Sequence, residues 1–147
     1  TEVDLPTPVV PTTAKWRDKS LSMEISAGME RSCDKVPIDT VFSALGPPEV
    51  ARGLVDAGVR SVIVVGVEAH VCVFMTARDL CRRGFHVHVP FDAVASRDPG
   101  CKTTALAALA TQGVTVTTTE TAVFDLLGDA KNLHFRPLSK LVRDLLG

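Results

Sequence analysis

The sequence is notable first for what it does not contain. No run of eighteen apolar residues occurs, so no membrane-spanning helix is expected. No Lys/Arg run extends beyond Arg82-Arg83 and the formal net charge is −1, so the basic footprint of a nucleic-acid binder is absent. The four cysteines, at 33, 72, 81 and 101, include no C-x-x-C pair and no zinc spacing. Their even number invites a disulfide reading, yet two of them fall on one expected helix in a βαβ context. Reduced thiols in an intracellular protein, cytoplasmic or mitochondrial, are the expectation. No N-terminal signal pattern is present. Thr1 is not an initiator methionine, so the chain reads as processed, trimmed or incomplete, and an upstream targeting segment stays open.

What is present suits one globular domain. The chain has 147 residues, 46% of them hydrophobic, enough for a packed core. Its organising stretch is Ser61 to Arg83. Val62 to Val67 is nearly all apolar and β-branched, too short for an independent helix and right for a strand buried on both faces. Gly66 permits a sharp turn. From Ala69 the apolar spacing becomes helical, with Val71, Met75 and Arg78 on one side and Gly84 closing the helix at Arg83. In open parallel sheets that strand end is where ligands bind. Cys72 lies in the first helical turn, where free N–H groups and the helix dipole favour an anion, so the thiol is placed as a nucleophile. A cysteine at such a position is also commonly a small buried hydrophobe.

Residues 1–45 carry little periodicity, and Pro6, Pro8 and Pro11 exclude a regular helix in the first dozen residues. This irregular N-terminal segment is set apart from an α/β domain over 46–147. Gly46-Pro47-Pro48-Glu49 starts a helix that ends before Gly58. After the 62–67 strand and the 69–83 helix come a strand over 85–90 and a loop with Ser96, Arg97 and Asp98. A helix over 102–111, a strand over 114–117 and a short helix over 122–127 follow. Pro137 interrupts the approach to a last helix over 138–146. The alternation predicts a parallel three-stranded sheet with helices on both faces. Val62–Val67, the most apolar strand, would normally be central, yet nothing earlier in the chain looks able to pair with its free edge. Such an edge needs covering by another chain or by a missing first half of the domain.

The ordered series G-V-E-A-H-V-C-V, T-A-R-D-L, R-G-F-H-V-H-V, D-A-V-A-S-R (92–97), T-T-T-E (117–120) and L-L-G-D-A with H-F-R-P-L-S-K-L resembles the isochorismatase-like cysteine hydrolase superfamily. It is most similar to the isochorismatase domain-containing branch, over roughly residues 40–146. The resemblance implies a three-layer, Rossmann-like doubly wound α/β fold. It implies an Asp–Lys–Cys triad that hydrolyses amides, esters or related bonds of small molecules. Cys72 falls at the nucleophile position. The Val67–Glu68 peptide falls where the family commonly has a non-proline cis bond. The N–H groups of Glu68 and Cys72 would form the oxyanion hole.

Departures from the pattern are as informative. The family's catalytic Asp lies on a first strand upstream of anything here, and the first two strands are lacking. The lysine position, three residues before Phe42-Ser43, holds Asp39. A carboxylate there would repel a thiolate, unless Lys35 reaches the site from the loop. The family's metal ligands, in members with a metal, also fall in the lacking part, so neither metal nor other cofactor is expected. The first expectation is therefore a degenerate member that keeps Cys72 and serves in binding or assembly, as a homo-oligomer. An active small-molecule hydrolase whose upstream part lies outside this chain is the alternative. A ribonuclease, a label some relatives carry, is weaker given the charge.

Further candidates are His70 and Arg97 as substrate-binding groups. His70 is also readable as an ordinary hydrogen-bonded histidine, and Arg97 as a partner of Asp92 or Asp98. Glu68 suits the positive end of the helix as well as a site. His86 and His88 alternate on one strand with no third metal ligand near in sequence. Cys81 and Cys101 read as core or helix-start thiols, and Trp16 as a clamp over the site or an anchor of the N-terminal region.

Overall fold

The computed structural model describes residues 42–146. In chain order the elements are α1 (Pro48–Asp56), β1 (Ser61–Ile63), β2 (Gly66–Val67), a π-helical turn (Ala69–Val73), α2 (Phe74–Arg82), β3 (His86–Pro90) and a 3-10 turn (Phe91–Ala93). Then come β4 (Val94–Ala95), α3 (Pro99–Thr111), β5 (Thr115–Thr117), α4 (Thr119–Leu127) and α5 (Phe135–Leu146). This is a Rossmann-like α/β arrangement. The main sheet has the order β1-β3-β5, all parallel. Val62 pairs with Val87 and Val89 with Val116.

The core follows from the period of the strands. On β3, Val87 and Val89 are buried while His86 is exposed and His88 half-buried, the alternation its H-V-H-V pattern dictates. Val62 and Val64 meet Val87 and Val89, and Val73, Ala77 and Leu80 from the helical segment join Leu109 of α3 and Val114 in the same cluster. Burying each such Val or Leu side chain contributes about 1.5–3 kcal/mol. The helix ends are capped in keeping with the sequence. Asp98 accepts the Cys101 N–H at the start of α3, and Thr118 accepts that of Thr121 at the start of α4. Gly128, at φ +69°, closes α4 in the left-handed conformation.

Three expectations are corrected. The strand read over Val62–Val67 is two strands. Val64 still donates to the His88 carbonyl (2.9 Å), but Gly66, at φ +117°, swings the chain out of the main sheet. Gly66 and Val67 then pair with Val94 and Ala95 in a separate two-stranded ribbon. The helix read over 69–83 begins as a π-helical turn and becomes α-helical only at Phe74. Among the described residues β3 is central, with a partner on each side, and β1 pairs on one side only, as its free edge led one to expect. Pro137 does not stop the last helix from starting at Phe135: it sits in the first turn, where its missing N–H has no intrahelical partner to lose.

Residues 42–45 form a turn fastened to α2, with the Ala44 N–H donating to Thr76 Oγ1 (2.9 Å). The expectations for Thr1 to Val41, those for Trp16, Cys33, Lys35 and Asp39 among them, lie outside the described residues.

Candidate functional site

Two connections leave the carboxyl ends of neighbouring parallel strands, the position where such sheets bind ligands. The first runs from β1 through β2 into the π-helical turn that carries Cys72. The second runs from β3 through β4 to Ser96, Arg97 and Asp98. The β2–β4 ribbon zips them together, and polar contacts beyond it continue the join.

Cys72 is half-buried and free. Its turn is anchored on either side by Ala69 and Val73, both buried in the core. The N–H groups of Val71 and Val73 both donate to the Glu68 carbonyl, at 3.1 and 3.2 Å. The Val67–Glu68 peptide immediately before the turn is cis. Val67 itself is an exposed apolar side chain at this edge.

Glu68 and His70 face the second connection. The Glu68 carboxylate accepts the backbone N–H of Arg97 (3.2 Å) and lies 3.4 Å from His70 Nδ1. The same Nδ1 is 2.9 Å from Ser96 Oγ. Arg97 is exposed, and its expected carboxylate partners are engaged elsewhere. Asp92 accepts from Thr119, and Asp98 caps α3. Among the described residues Arg97 forms no ion pair. The structure thus joins Glu68 and His70 to Ser96 and the Arg97 backbone of the second connection, with Val67 and Cys72 on the same first connection, whereas Asp39 lies outside the described residues.

Three residues that sequence reasoning did not assign to the site belong to its surroundings. Ser96 is the hydrogen-bond partner of His70. Asp98 is held below the ordinary carboxylate range, chiefly by the Cys101 N–H it accepts. Cys101 is pushed above the ordinary thiol range, first by desolvation and then by its hydrogen bond to the Asp98 carboxylate, with Glu68 adding to the effect. The available signal was topological: Ser96 to Cys101 follow the end of β3, next to the strand end that leads to Cys72.

The remaining candidates have structural roles. Cys81 Sγ donates to the Gln112 carbonyl (3.1 Å), tying α2 to the end of α3. His88 is held below its ordinary value by burial, with Asp125 opposing and His86 reinforcing the shift. No cluster of three His, Cys, Asp or Glu able to hold a metal exists among the described residues. No helix there is long and apolar enough to cross a membrane.

Comparison with known proteins agrees with this fold. The family profile described as "Isochorismatase domain" matches residues 24–121. The chain is 37% identical over 142 residues to the "Secreted isochorismatase effector Isc1" of Phytophthora sojae, covering 95% of this chain and 68% of that protein. It is 39% identical over 97 residues to "Isochorismatase domain-containing protein 1" of Danio rerio, covering 65% of this chain and 34% of the other. Among solved structures, the MAR1 ribonuclease of Caenorhabditis elegans superposes with a TM-score of 0.64 at 38% identity, covering 70% of this chain and 52% of that one. The chain therefore spans about a third of the Danio protein and about half of the Caenorhabditis chain.

Proposed function

Since this chain belongs to the isochorismatase family, we propose that it supplies the nucleophile-bearing part of a hydrolase acting on small carbonyl compounds, amides or esters. The observation that carries this reading is the placement of Cys72. It is a free, partly accessible thiol in the first turn after a cis peptide, at the carboxyl end of a parallel strand. In this reading Cys72 Sγ attacks the carbonyl carbon and the amine or alcohol leaves with a proton. Water then cleaves the thioester, releasing the acid and restoring the thiol. The proton donor and the cation that completes the site belong to residues outside those described. Arg97, exposed and without an ion pair among the described residues, is the group for a carboxylate on the substrate.

The test is a panel of small aryl amides and aryl esters with the intact protein, followed by mass spectrometry. A transient acyl adduct on the Cys72 peptide, lost with turnover in Cys72→Ala, is the expected result. Turnover that survives Cys72→Ala would overturn the reading.

A second reading is favoured by one observation. Asp39 stands at the spacing where the family's lysine is expected, so the chain is a degenerate member that binds without turning over. Asp39→Lys distinguishes the two: a gain of Cys72 acylation supports the degenerate reading, and no change supports the first. The Caenorhabditis relative's ribonuclease name gives a third reading little support, because a net charge of −1 offers no phosphate footprint. The homo-oligomeric state is part of the proposal, resting on the single-sided pairing of β1 among the described residues and on exposed Leu133, Leu141 and Leu145. Light scattering tests it. An intracellular location rests on the free thiols at Cys72, Cys81 and Cys101, and stands against the secretion named for the Phytophthora relative.

A further inference from the structure

His70 is the one imidazole at this strand edge, and its two nitrogens have unlike surroundings. Nδ1 is 2.9 Å from the Ser96 hydroxyl and 3.4 Å from a Glu68 carboxylate oxygen. That oxygen already accepts the Arg97 N–H. An ionised carboxylate accepts hydrogen bonds and cannot donate them. A bare Nδ1 would turn its lone pair toward the carboxylate and repel it. A protonated Nδ1 donates to Ser96 Oγ and turns the positive edge of the ring toward Glu68. The tautomer of a neutral histidine is set by the bond its other nitrogen makes. The surroundings of Nδ1 therefore place the proton there and leave Nε2 as a lone-pair acceptor.

The ring is not sealed off. The His70 side chain keeps 20% of its surface accessible, and the Glu68 side chain 36%. His70 and Cys72 belong to one five-residue turn whose neighbours Ala69 and Val73 are fixed in the core. The connection that bears Ser96 holds the ring by side-chain contact, while the β2–β4 ribbon holds the backbone.

We propose that Glu68 and Ser96 lock His70 as the Nδ1–H tautomer, so that His70 Nε2 is the hydrogen-bond acceptor this site offers to an N–H or O–H group of the substrate. This deepens the hydrolase reading and rests on it for the substrate, but the tautomer stands on the contacts alone. A primary amide or a hydroxylated ester has the matching donor. A tertiary amide or a simple ester without a hydroxyl does not.

The experiment uses the intact protein labelled with nitrogen-15. Long-range proton–nitrogen spectra at a pH where the ring is neutral read its two nitrogens separately. The expected result for His70 is a protonated Nδ1 and an unprotonated Nε2, with the Nδ1–H population reduced in Ser96→Ala and in Glu68→Gln. The probe of the acceptor is a carboxamide placed on Cys72 by iodoacetamide, compared with a methylthio group placed there as a mixed disulfide by methyl methanethiosulfonate. The carboxamide donor moves the Nε2 resonance of His70 and the methylthio group, which has no donor, does not. His70→Asn, whose amide can still donate to Ser96, retains exchange protection of the Arg97 N–H while His70→Ala loses about three- to ten-fold of it, what one net hydrogen bond supplies. A protonated Nε2 in the neutral ring, or an Nε2 resonance indifferent to the carboxamide, overturns the proposal. Failure of the hydrolase reading looks different: Cys72 forms no acyl adduct while the His70 tautomer is as stated.

Discussion

Asp92 holds Thr119 twice: the same Oδ1 accepts the Thr119 backbone N–H at 2.8 Å and its Oγ1 hydroxyl at 3.0 Å. The two residues are 27 apart in sequence, and the pair joins the connection after β3 to the first turn of α4. A carboxylate at a helix N-terminus is also favoured by the helix dipole. Asp92→Ala removes both bonds and leaves an N–H at the helix start. The expected cost is about 1–2 kcal/mol, toward the lower part of the range because the contact is exposed. Urea unfolding of the wild type and the variant checks this, and a variant as stable as the wild type would show that water replaces Asp92 without loss.

Much of the fold was legible in the residues. The β-branched run of Val62–Val64, the H-V-H-V alternation of β3 and the capping residues each specify their element through local physics. What was not legible depended on partners distant in sequence. The split between β1 and β2 arises because Gly66 and Val67 pair with Val94 and Ala95, and no local pattern names that partner. The π-helical turn is invisible to a spacing argument, since its Val73 N–H bonds five residues back to Glu68 while the apolar positions still read as helical. At the candidate site, Cys72, His70 and Arg97 were singled out from their strand-end position. Ser96 was passed over because a serine in a loop has no distinguishing neighbour in sequence; its meaning is the imidazole across the ribbon.

Leu109 is fully buried and packs in the cluster shared by α3, the helical segment after β2, and β3. Leu109→Ala leaves a cavity that this arrangement of short elements has little freedom to close. A loss of about 2–5 kcal/mol is expected. The exposed Leu133, at 80% accessibility, is the control: Leu133→Ala changes stability by no more than about 0.5 kcal/mol if that surface is free in the protein as isolated. A larger loss at Leu133 would identify a covered surface and support the oligomer.

Asp98 links acid stability to the start of α3. Its carboxyl titrates below the ordinary value because the folded protein gives it the Cys101 N–H. A group with a depressed folded value stabilises the protein above its unfolded value. That contribution is lost as pH falls through the folded one. Asp98→Asn is therefore expected to lower stability at neutral pH and to flatten the acid side of the profile, starting near the ordinary carboxylate value. Thermal unfolding of both proteins from neutral pH down into the acid range reads it. Parallel curves for the two would mean that the cap does not respond to charge.

His88 acts over a higher window. Burial holds its imidazole below the ordinary value of 6.5, against the opposing pull of Asp125 and with His86 in support. The folded state therefore resists the proton that the unfolded chain takes up. Above the ordinary value both states are neutral and nothing is lost. As pH falls from about 6.5 toward the lowered folded value, the unfolded state gains protons first and stability declines. Below the folded value both states are charged and the decline from this group ends. His88→Gln removes the titration, so the difference in melting temperature between pH 8 and pH 5, in buffers of equal ionic strength, should be smaller than in the wild type. A pH 8 to pH 5 difference as large in His88→Gln as in the wild type would overturn the burial argument.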